Sequence, residues 1–212
     1  MQNKNKIGTI LLLLCLISTA LFINIQPAKA LTNTSFGYTI VGAENEDEAG
    51  FICTQRFQTP AYSGNLTTMS FYVNDGAGDY NFSIYSDVDV HPGNLLVAGD
   101  GGSFSGEGWK TLVMPSLILN ASTYYWLTSF YSSGTLRYTD AIGLQLYKSQ
   151  AYGDFPATYG EETGSWVRTF SIYANYTYSS GWTHSFMGVS TEKIGSIGGV
   201  PIANIGSLGD VP

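Results

Sequence analysis

The side chains that could carry chemistry in this sequence are mainly amides, hydroxyls and aromatic rings. The pattern Asn-x-Ser/Thr, which accepts N-linked glycans in exported chains, occurs five times without proline at its middle position. The acceptors are Asn33, Asn65, Asn81, Asn120 and Asn175. Proteins rich in serine and threonine also collect this pattern passively. In a host with surface N-glycosylation we expect at least two of the five to be used.

Aromatic residues form the second group, and they point to sugar recognition. A pyranose has an apolar face of C–H groups and a polar rim, so it binds flat rings flanked by hydroxyl or amide groups. The candidate rings are Tyr72, Tyr85, Trp109, Trp166 and Tyr173. Aromatic residues in strands more often pack in a core or across strands, and we expect this of Trp126. Glycans on Asn81 and Asn175 would crowd the same tyrosine face, so the two hypotheses conflict there.

Calcium is the metal ion that the acidic residues favour. It takes hard oxygen ligands from carboxylates and loop carbonyls. Two acidic stretches offer Glu46, Asp47, Asp87 and Asp89 as ligands. Solvated acidic loops are the simpler interpretation of both stretches, and no Asp-x-Asp-x-Asp-Gly loop occurs. Zinc has little support because the chain has two histidines and no paired cysteines. No other cofactor is expected.

Enzymatic catalysis has little support. The segment Gly102–Gly106 carries Phe104 where a nucleophile elbow needs serine. One histidine, His91, lies in a His-Pro-Gly turn, the other lies near the C-terminus, and neither spacing predicts a catalytic partner. Glu107 or the pair Glu161–Glu162 could in principle serve a glycosidase, which requires two carboxylates at a set separation. We therefore predict a non-enzymatic protein, with a small secreted glycoside hydrolase as a distant alternative.

These residues belong to a chain of 212 residues with a net charge of −7, of which 14% are aromatic and 12% charged. Three lysines and no acidic residue lie in the first 30 positions, so six basic and sixteen acidic residues remain beyond them. Such a surface repels phosphate and excludes nucleic-acid binding by charge. The 44% hydrophobic fraction argues against disorder, and the length suits one domain.

The first thirty residues predict an export signal. Met1–Lys6 is short and basic, Ile7–Ile23 is almost wholly apolar, and Ala28-Lys29-Ala30 has the small residues that signal peptidase accepts. We expect cleavage after Ala30, with an uncleaved anchor as the alternative, since the apolar stretch is at the short limit for a bilayer of about 30 Å. No later segment approaches that length. The remaining chain is predicted to be secreted, or held at a cell surface by contacts.

Cysteine usage is sparse. Cys15 would leave with the signal segment, so Cys53 would stand alone and could not form an internal disulfide. Its apolar neighbours predict a small buried side chain rather than a nucleophile or an intermolecular bridge.

The rest of the chain is patterned as β-strands, because apolar and polar residues alternate in short segments bounded by Gly, Asn, Asp and Ser. Met69, Phe71 and Val73 are predicted to share one face, as are Tyr80, Phe82 and Ile84, and Phe170, Ile172 and Ala174. Further candidate strands cover residues 94–98, 109–114, 123–131, 135–138, 143–147 and 168–178. Eight to ten such strands predict one antiparallel sandwich.

Several short motifs follow one another between Gln55 and Ala174. They are Arg56-Phe57, Gly64–Thr67 leading into Phe71-Tyr72, Ile84–Asp87, His91–Leu96, Gly108-Trp109, Leu117 with Leu119, Tyr125–Leu127 and Ile172–Ala174. With these motifs the chain resembles a family of largely uncharacterised jelly-roll domains in secreted and surface proteins of archaea and bacteria. The resemblance implies an all-β, antiparallel jelly-roll sandwich over residues 31–182, similar to carbohydrate-binding modules. It implies no established activity.

The last thirty residues, 183–212, differ in composition. Ile194-Gly195-Ser196 returns eleven residues later as Ile205-Gly206-Ser207, in a region rich in glycine and valine. A flexible tail and a β-forming repeat that packs on another copy are both open.

Together these features predict a secreted, non-enzymatic, glycosylated domain that binds a glycan or a cell-surface protein and mediates adhesion. The alternative is a structural subunit of an extracellular or appendage assembly, a homo-oligomer joined through the C-terminal repeat. A phage or viral particle component also suits the pattern, but the export signal argues against it.

Overall fold

The computed structural model describes residues 31–179 together with two short strands at 196–197 and 200–201. Its contacts divide the chain into two units, Leu31–Ser180 and the two chain ends, Met1–Ala30 with Gly181–Pro212. The described part of the first unit contains strands and no helix, which confirms the all-β prediction. The described residues contain no helix with the length and hydropathy to cross a bilayer.

Within the described residues of the second unit, β14 (Ser196–Ile197) pairs antiparallel with β15 (Val200–Pro201), and Ile197 lies opposite Val200. These two strands lie within the predicted C-terminal repeat region, residues 183–212. The predicted signal segment and the remainder of the predicted tail lie outside the described residues.

The first unit contains thirteen strands. They are β1 (Leu31–Gly37), β2 (Glu44–Glu46), β3 (Phe51–Gln58), β4 (Gly64–Asp75), β5 (Ala77–Val88), β6 (His91–Ala98), β7 (Gly102–Ser105), β8 (Gly108–Val113), β9 (Ile118–Leu119), β10 (Tyr124–Tyr131), β11 (Thr135–Ser149), β12 (Gly164–Phe170) and β13 (Ile172–Ser179). Eight to ten strands were expected. The count is higher because β2, β7 and β9 have only three, four and two residues, too few for an alternating pattern to be recognised.

The strands pair in the order β1-β13-β4-β11-β3-β10-β5-β6. Shorter strands attach at the sides, β8 and β9 to β4, β7 to β5, and β2 and β12 to β11. Each of these pairings is antiparallel, as predicted.

The sheet folds over and encloses one main core. Phe71 on β4 packs edge-on against Phe82 on β5 with ring centroids 4.9 Å apart. Phe36 on β1 lies 6.4 Å from Tyr125 on β10. Neither pair of strands is hydrogen-bonded together, so the contacts join two facing layers. This arrangement is consistent with a β-sandwich, and the jelly-roll strand order stays a prediction.

The residues that the alternation assigned to the interior are buried. Met69, Phe71 and Val73 are 0% exposed, and so are Phe82 and Ile84. Because successive side chains of a strand point to opposite faces, this result confirms the predicted faces of β4 and β5.

The segment 168–178, predicted as one strand, is interrupted at Ser171. The Ser171 N–H donates to the carbonyl of Arg137, and its carbonyl accepts from the N–H of Tyr72. The two halves therefore have different partners: β12 pairs with β11, whereas β13 pairs with β4 and β1.

The opposite error occurs at β11, which was predicted as two strands, 135–138 and 143–147. The structure has one strand of 15 residues with an irregular register between Asp140 and Gln145. Ala141 in that stretch has a φ of 64°. The gap between the two predicted strands is thus an irregularity within one strand rather than a turn between two strands.

A glycine corner connects the two layers between β4 and β5. Gly76 has a φ of 96°, and a Cβ atom there would lie 2.6 Å from the Cα of Gly134. Gly134 has a φ of 92°, and its own Cβ would lie 2.7 Å from the carbonyl oxygen of Asp75. Glycine alone permits both this backbone conformation and this approach of the two chains.

A second core covers the other side of the layer that contains β3, β10 and β5. Tyr85, Trp126 and Phe130 are 0% exposed and pack with Phe155 and Tyr159. The last two belong to residues 150–160, which we call the covering segment. It is attached at the β6 edge, where the Tyr159 N–H donates to the carbonyl of Gly93 at 2.9 Å.

Candidate ligand-binding surface

Three of the five candidate rings meet on the outer face of the layer formed by β8, β4 and β13. Trp109 on β8 pairs with Tyr72 on β4. Tyr173 on β13 pairs with Ser70, two residues along β4. Residues paired across antiparallel strands point to the same face, so all three rings lie on the side opposite the main core. We call Tyr72, Trp109 and Tyr173 the aromatic row.

The rings of the row pack edge to face. The Trp109 centroid lies 5.4 Å from that of Tyr72 at an interplanar angle of 90°, and 4.9 Å from that of Tyr173 at 71°. Ser70 is fully buried, and its short side chain lets the rings meet above β4. Its hydroxyl shares a 2.7 Å hydrogen bond with that of Thr111. Each ring is partly exposed. Because the rings are steeply inclined to one another, the row is a stepped aromatic surface rather than a flat platform.

Polar groups border the row. The Tyr72 hydroxyl donates to Oε1 of Glu107 at 3.0 Å, and this hydrogen bond raises the pKa of the phenol. Arg137 Nη1 donates to a backbone carbonyl, while its Nε is buried without a hydrogen-bond partner among the described residues. The row therefore combines apolar ring faces with charged and hydroxyl groups at its border.

Tyr85 does not belong to this surface. It points away from the main core, as the alternation predicts, but the covering segment lies over that side of β5. Its hydroxyl donates to the carbonyl of Pro156 at 2.8 Å, its ring lies 5.5 Å from that of Tyr159, and burial raises its pKa. The prediction that Tyr85 offers a solvent-facing ring for a ligand is therefore wrong. Trp126 packs in the same second core, which confirms its expected role.

Trp166 lies in a separate cluster on β11 and β12. Its ring stacks on Tyr147 with centroids 3.8 Å apart and an interplanar angle of 16°. The guanidinium carbon of Arg168 lies 4.1 Å from its centroid. Trp166 is thus engaged by its own neighbours and does not extend the aromatic row.

A buried ionic network, which the sequence analysis missed, surrounds Arg168. Arg168 is 4% exposed and pairs with Glu46 and with Glu48, which is 1% exposed. Gln145 joins both sides, because its Oε1 accepts from Arg168 Nε at 2.7 Å and its Nε2 donates to Glu48 Oε2 at 2.7 Å. Desolvation lowers the pKa of Arg168 despite its pairing with Glu46. Neither local spacing nor charge count indicated these partners.

Cys53 is part of the same network. It is 2% exposed, and its Sγ donates to Glu48 Oε2 at 2.8 Å. Burial raises the pKa of the thiol, so the reactive thiolate is disfavoured. The prediction of a buried, unpaired cysteine is confirmed.

The proposed calcium ligand Asp87 is engaged by two side chains. Arg56 donates to both of its oxygens, from Nε and from Nη2, each at 2.7 Å. Trp126 Nε1 donates to the same carboxylate at 2.8 Å. The hydrogen bonds from Arg56 hold the Asp87 pKa below its ordinary value.

The other three acidic candidates are dispersed. Glu46 faces Arg168, Asp47 accepts the Ala49 N–H at 2.8 Å, and Asp89 lies in a turn with a φ of 50°. Within residues 31–179 and the two short C-terminal strands, no three His, Cys, Asp or Glu side chains are grouped to hold a metal ion. Calcium binding stays a prediction.

The groups considered for catalysis are exposed. His91 Nδ1 lies 4.0 Å from Glu162 Oε2, with side-chain exposures of 63% and 33%. Glu107 is exposed as well and accepts the hydrogen bond of Tyr72. The absence of enzymatic activity also stays a prediction.

Three glycosylation acceptors share the outer face that carries the aromatic row. Asn33 on β1 pairs with Thr177 on β13, and Thr177 pairs with Asn65 on β4. Asn175, two residues before Thr177, donates from Nδ2 to Oγ1 of Thr68 at 2.9 Å. The three acceptors therefore lie together, beside the Tyr173 end of the row.

The remaining two acceptors have different surroundings. Asn120 follows β9 and is exposed. Asn81 lies on β5, where its Nδ2 donates to the carbonyl of Gly99 at 2.9 Å and its Oδ1 accepts from the N–H of Phe82 at 2.7 Å. The Asn81 amide is thus fastened to the backbone. Use of these acceptors stays a prediction.

No family model matches this chain, and no curated protein matches it. Among solved structures, the chain is similar to one in the "Structure of infectious bursal disease virus Gx strain". The identity is 10%, the match covers 82% of this chain and 35% of that chain, and the TM-score is 0.29. This chain therefore spans about a third of the length of that one. At this TM-score the likeness carries no argument about fold or function.

Proposed function

We propose that this protein is an exported, non-enzymatic domain of a cell surface that binds glycan through the aromatic row and so mediates adhesion. The observation that carries the proposal is the meeting of Tyr72, Trp109 and Tyr173 on one partly exposed face. Aromatic rings at the surface offer the apolar contact that the C–H face of a sugar requires. The proposal includes a jelly-roll strand order, as the sequence resemblance implies.

The border of the row supplies the polar half of a sugar site. Glu107 can accept hydrogen bonds from sugar hydroxyls, and the Tyr72 hydroxyl is already oriented by that carboxylate at 3.0 Å. The positive charge of Arg137 acts on the same Tyr72 hydroxyl. Hydroxyl-rich ligands are matched by such mixed donor and acceptor groups.

Charge favours neutral polymers. The chain carries a net charge of −7, and the basic residues of its first thirty positions would leave with a cleaved signal. A negative surface repels sulfated or carboxylated polysaccharides at low ionic strength. We therefore propose neutral polysaccharides as the ligand class.

Binding of neutral polysaccharides by the purified chain, produced without N-linked glycans, tests the proposal. Replacing Trp109 with alanine removes the ring that contacts both tyrosines, and we expect at least a ~10-fold loss of affinity, about 1.4 kcal/mol. Tyr62→Ala is the matched control, because Tyr62 is 50% exposed and stacks on Tyr178 at 4.5 Å, outside the row. We expect the control to bind as the unchanged protein does.

Two results would contradict the proposal. One is no binding across a panel of neutral polysaccharides, and the other is an equal loss in both variants. The distant hydrolase alternative predicts new reducing ends in the same mixtures, and we expect none.

A structural subunit is the second candidate. Val113 is 81% exposed and Ile118 is 64% exposed, and both lie on short strands that flank β4. Apolar residues exposed together near a sheet margin favour contact with another chain. Light scattering of the exported chain would test this candidate. A concentration-dependent oligomer that Val113→Ser/Ile118→Ser disperses would support it, and a monomer at all concentrations would remove it.

A further inference from the structure

The acceptor Asn175 stands directly beside an aromatic ring of the row. Tyr173, Asn175 and Thr177 occupy alternate positions of β13 and point to the outer face, while Tyr176 between the last two is 0% exposed. The contacts of Tyr173 with Trp109 and of Asn175 with Thr68 fix this orientation. Residues two apart on a strand lie about 7 Å from each other on the same face.

The side of β13 that faces β1 leaves room next to this pair. Gly37 pairs with Tyr173, and Ser35 pairs with Asn175. Gly37 has no side chain, and its φ of 116° together with its close approach to the Tyr173 backbone excludes a larger residue. The flank of Tyr173 and Asn175 on β1 therefore carries at most a hydroxymethyl group.

We propose that Asn175 carries an N-linked glycan whose first sugar packs on the ring of Tyr173, so that the row is in part a docking face for the chain's own glycan. The inference shares with the proposed function only the idea that this row contacts sugar. It also resolves the conflict between glycosylation and aromatic recognition on this face, because the attached sugar becomes a ligand of the row.

In this modification a lipid diphosphate oligosaccharide donates the sugar, and an oligosaccharyltransferase catalyses the transfer. The Asn175 Nδ2 forms a bond to C1 of the first sugar, and the bond from C1 to the lipid diphosphate breaks. The diphosphate leaves with the electron pair, and one amide proton passes to a base of the transferase. The product amide keeps one N–H, which can still donate to Thr68 Oγ1 as in the 2.9 Å hydrogen bond.

The other four acceptors lack this arrangement. The residues two positions before them are Leu31, Ser63, Asp79 and Ile118, none of which is aromatic. The Asn81 amide is in addition held by two backbone hydrogen bonds. The inference is therefore specific to Asn175.

The test uses the full chain, exported from a host that carries an N-linked oligosaccharyltransferase. Site-resolved mass spectrometry of glycopeptides should find Asn175 occupied, and Thr177→Ala should abolish that glycan alone. Urea unfolding is then measured for four proteins: unchanged, Thr177→Ala, Tyr173→Ala, and both together. The glycan should raise the ratio of folded to unfolded protein ~2–10-fold when Tyr173 is present, the range measured for aromatic packing contacts, and not when it is replaced.

The matched control applies the same cycle to Asn120 with Ser122→Ala and Ile118→Ala, where no aromatic ring precedes the acceptor. We expect no coupling there. Enzymatic removal of the glycans from the folded, unchanged protein and from Tyr173→Ala provides the same comparison without the Thr177 substitution, should that variant not fold.

An unoccupied Asn175 in the exported chain overturns the inference, and so does a glycan effect of equal size with and without Tyr173. Failure of the proposed function is distinguishable, because it is tested on protein that carries no glycan. If that protein binds no polysaccharide while the Tyr173–Asn175 coupling is present, the proposed function fails and the inference is supported.

Discussion

Replacing Glu48 with glutamine should strongly destabilise the fold. Glutamine has the shape of glutamate, so the change leaves no cavity and its cost is electrostatic. Glu48 is 1% exposed and accepts from three donors: Arg168 Nη2, Gln145 Nε2 and Cys53 Sγ. A glutamine amide nitrogen would direct N–H groups at one of these donors, and the buried guanidinium would keep only Glu46, whose side chain is 45% exposed, as a countercharge.

The expected magnitude follows from burial. Removing one partner of a buried ion pair costs about 3–5 kcal/mol, because the other charge stays desolvated. Glu46→Gln is the matched control, since it removes the same charge from the same arginine. The Glu46 side chain is 45% exposed, so its loss should cost less than about 1 kcal/mol. The two variants have equal net charge. The difference between their unfolding free energies therefore measures the effect of burying the carboxylate.

Urea unfolding, followed by fluorescence and circular dichroism, measures both variants. We expect equal slopes and a difference of at least about 2 kcal/mol between them. Combining Glu48→Gln with Arg168→Met should recover part of the loss, because no buried cation then lacks its partner. If the two single variants are equally stable, or if the double variant is less stable than Glu48→Gln alone, the ionic network does not act as described.

Two further outcomes follow from titrating groups. The folded-state pKa of Asp87 is depressed by Arg56, so this pair contributes stability above the ordinary carboxyl value of 3.8 and loses it as the pH falls through the depressed pKa. Compared with Asp87→Asn, the unchanged protein should be about 1 kcal/mol more stable near neutral pH, and this advantage should vanish in strong acid. Unfolding measured as a function of pH tests this. A difference in unfolding free energy that is the same at every pH would refute the assignment. Cys53 should react with iodoacetamide roughly a hundred-fold more slowly in the folded protein than in denaturant, as site-resolved mass spectrometry would show, because it is buried and its pKa is raised. Equal rates would mean that the thiol is accessible.

The alternation of residues was sufficient to predict which side of a strand faces the core. Met69, Phe71 and Val73 are all fully buried as predicted, because the pleat points successive side chains to opposite faces whatever the rest of the chain does. The same local rule assigned Tyr72 and Tyr173 to the outer face, where two of the three rings of the aromatic row are found.

The alternation could not tell whether the outer side of a strand meets water. Tyr85 follows the same pattern as Tyr72, yet it is 0% exposed because residues 150–160 lie over it. The hydrogen bond that fixes it joins residues 71 positions apart, to the carbonyl of Pro156. No local pattern contains that information.

Strand continuity was equally beyond the sequence. Ser171 ends one strand and precedes another because its backbone pairs with Arg137 and Tyr72 on different strands. Conversely, the irregular backbone at Ala141 shifts the register of β11 without ending the strand. Turn-forming composition marks an irregular backbone, but the partner strands determine whether pairing stops there.

The strand character, the inward-facing residues and the buried state of Cys53 are all predictable from the residue pattern, because each depends on side chains a few positions apart. The partners of the charged side chains depend instead on which strands become neighbours in the folded sheet. Arg168 pairs with Glu48, which is 120 positions away in the sequence. Arg56 pairs with Asp87, a proposed calcium ligand that is 31 positions away. Such pairs form where the sheet brings distant strands together, and their strength depends on how completely that packing excludes water.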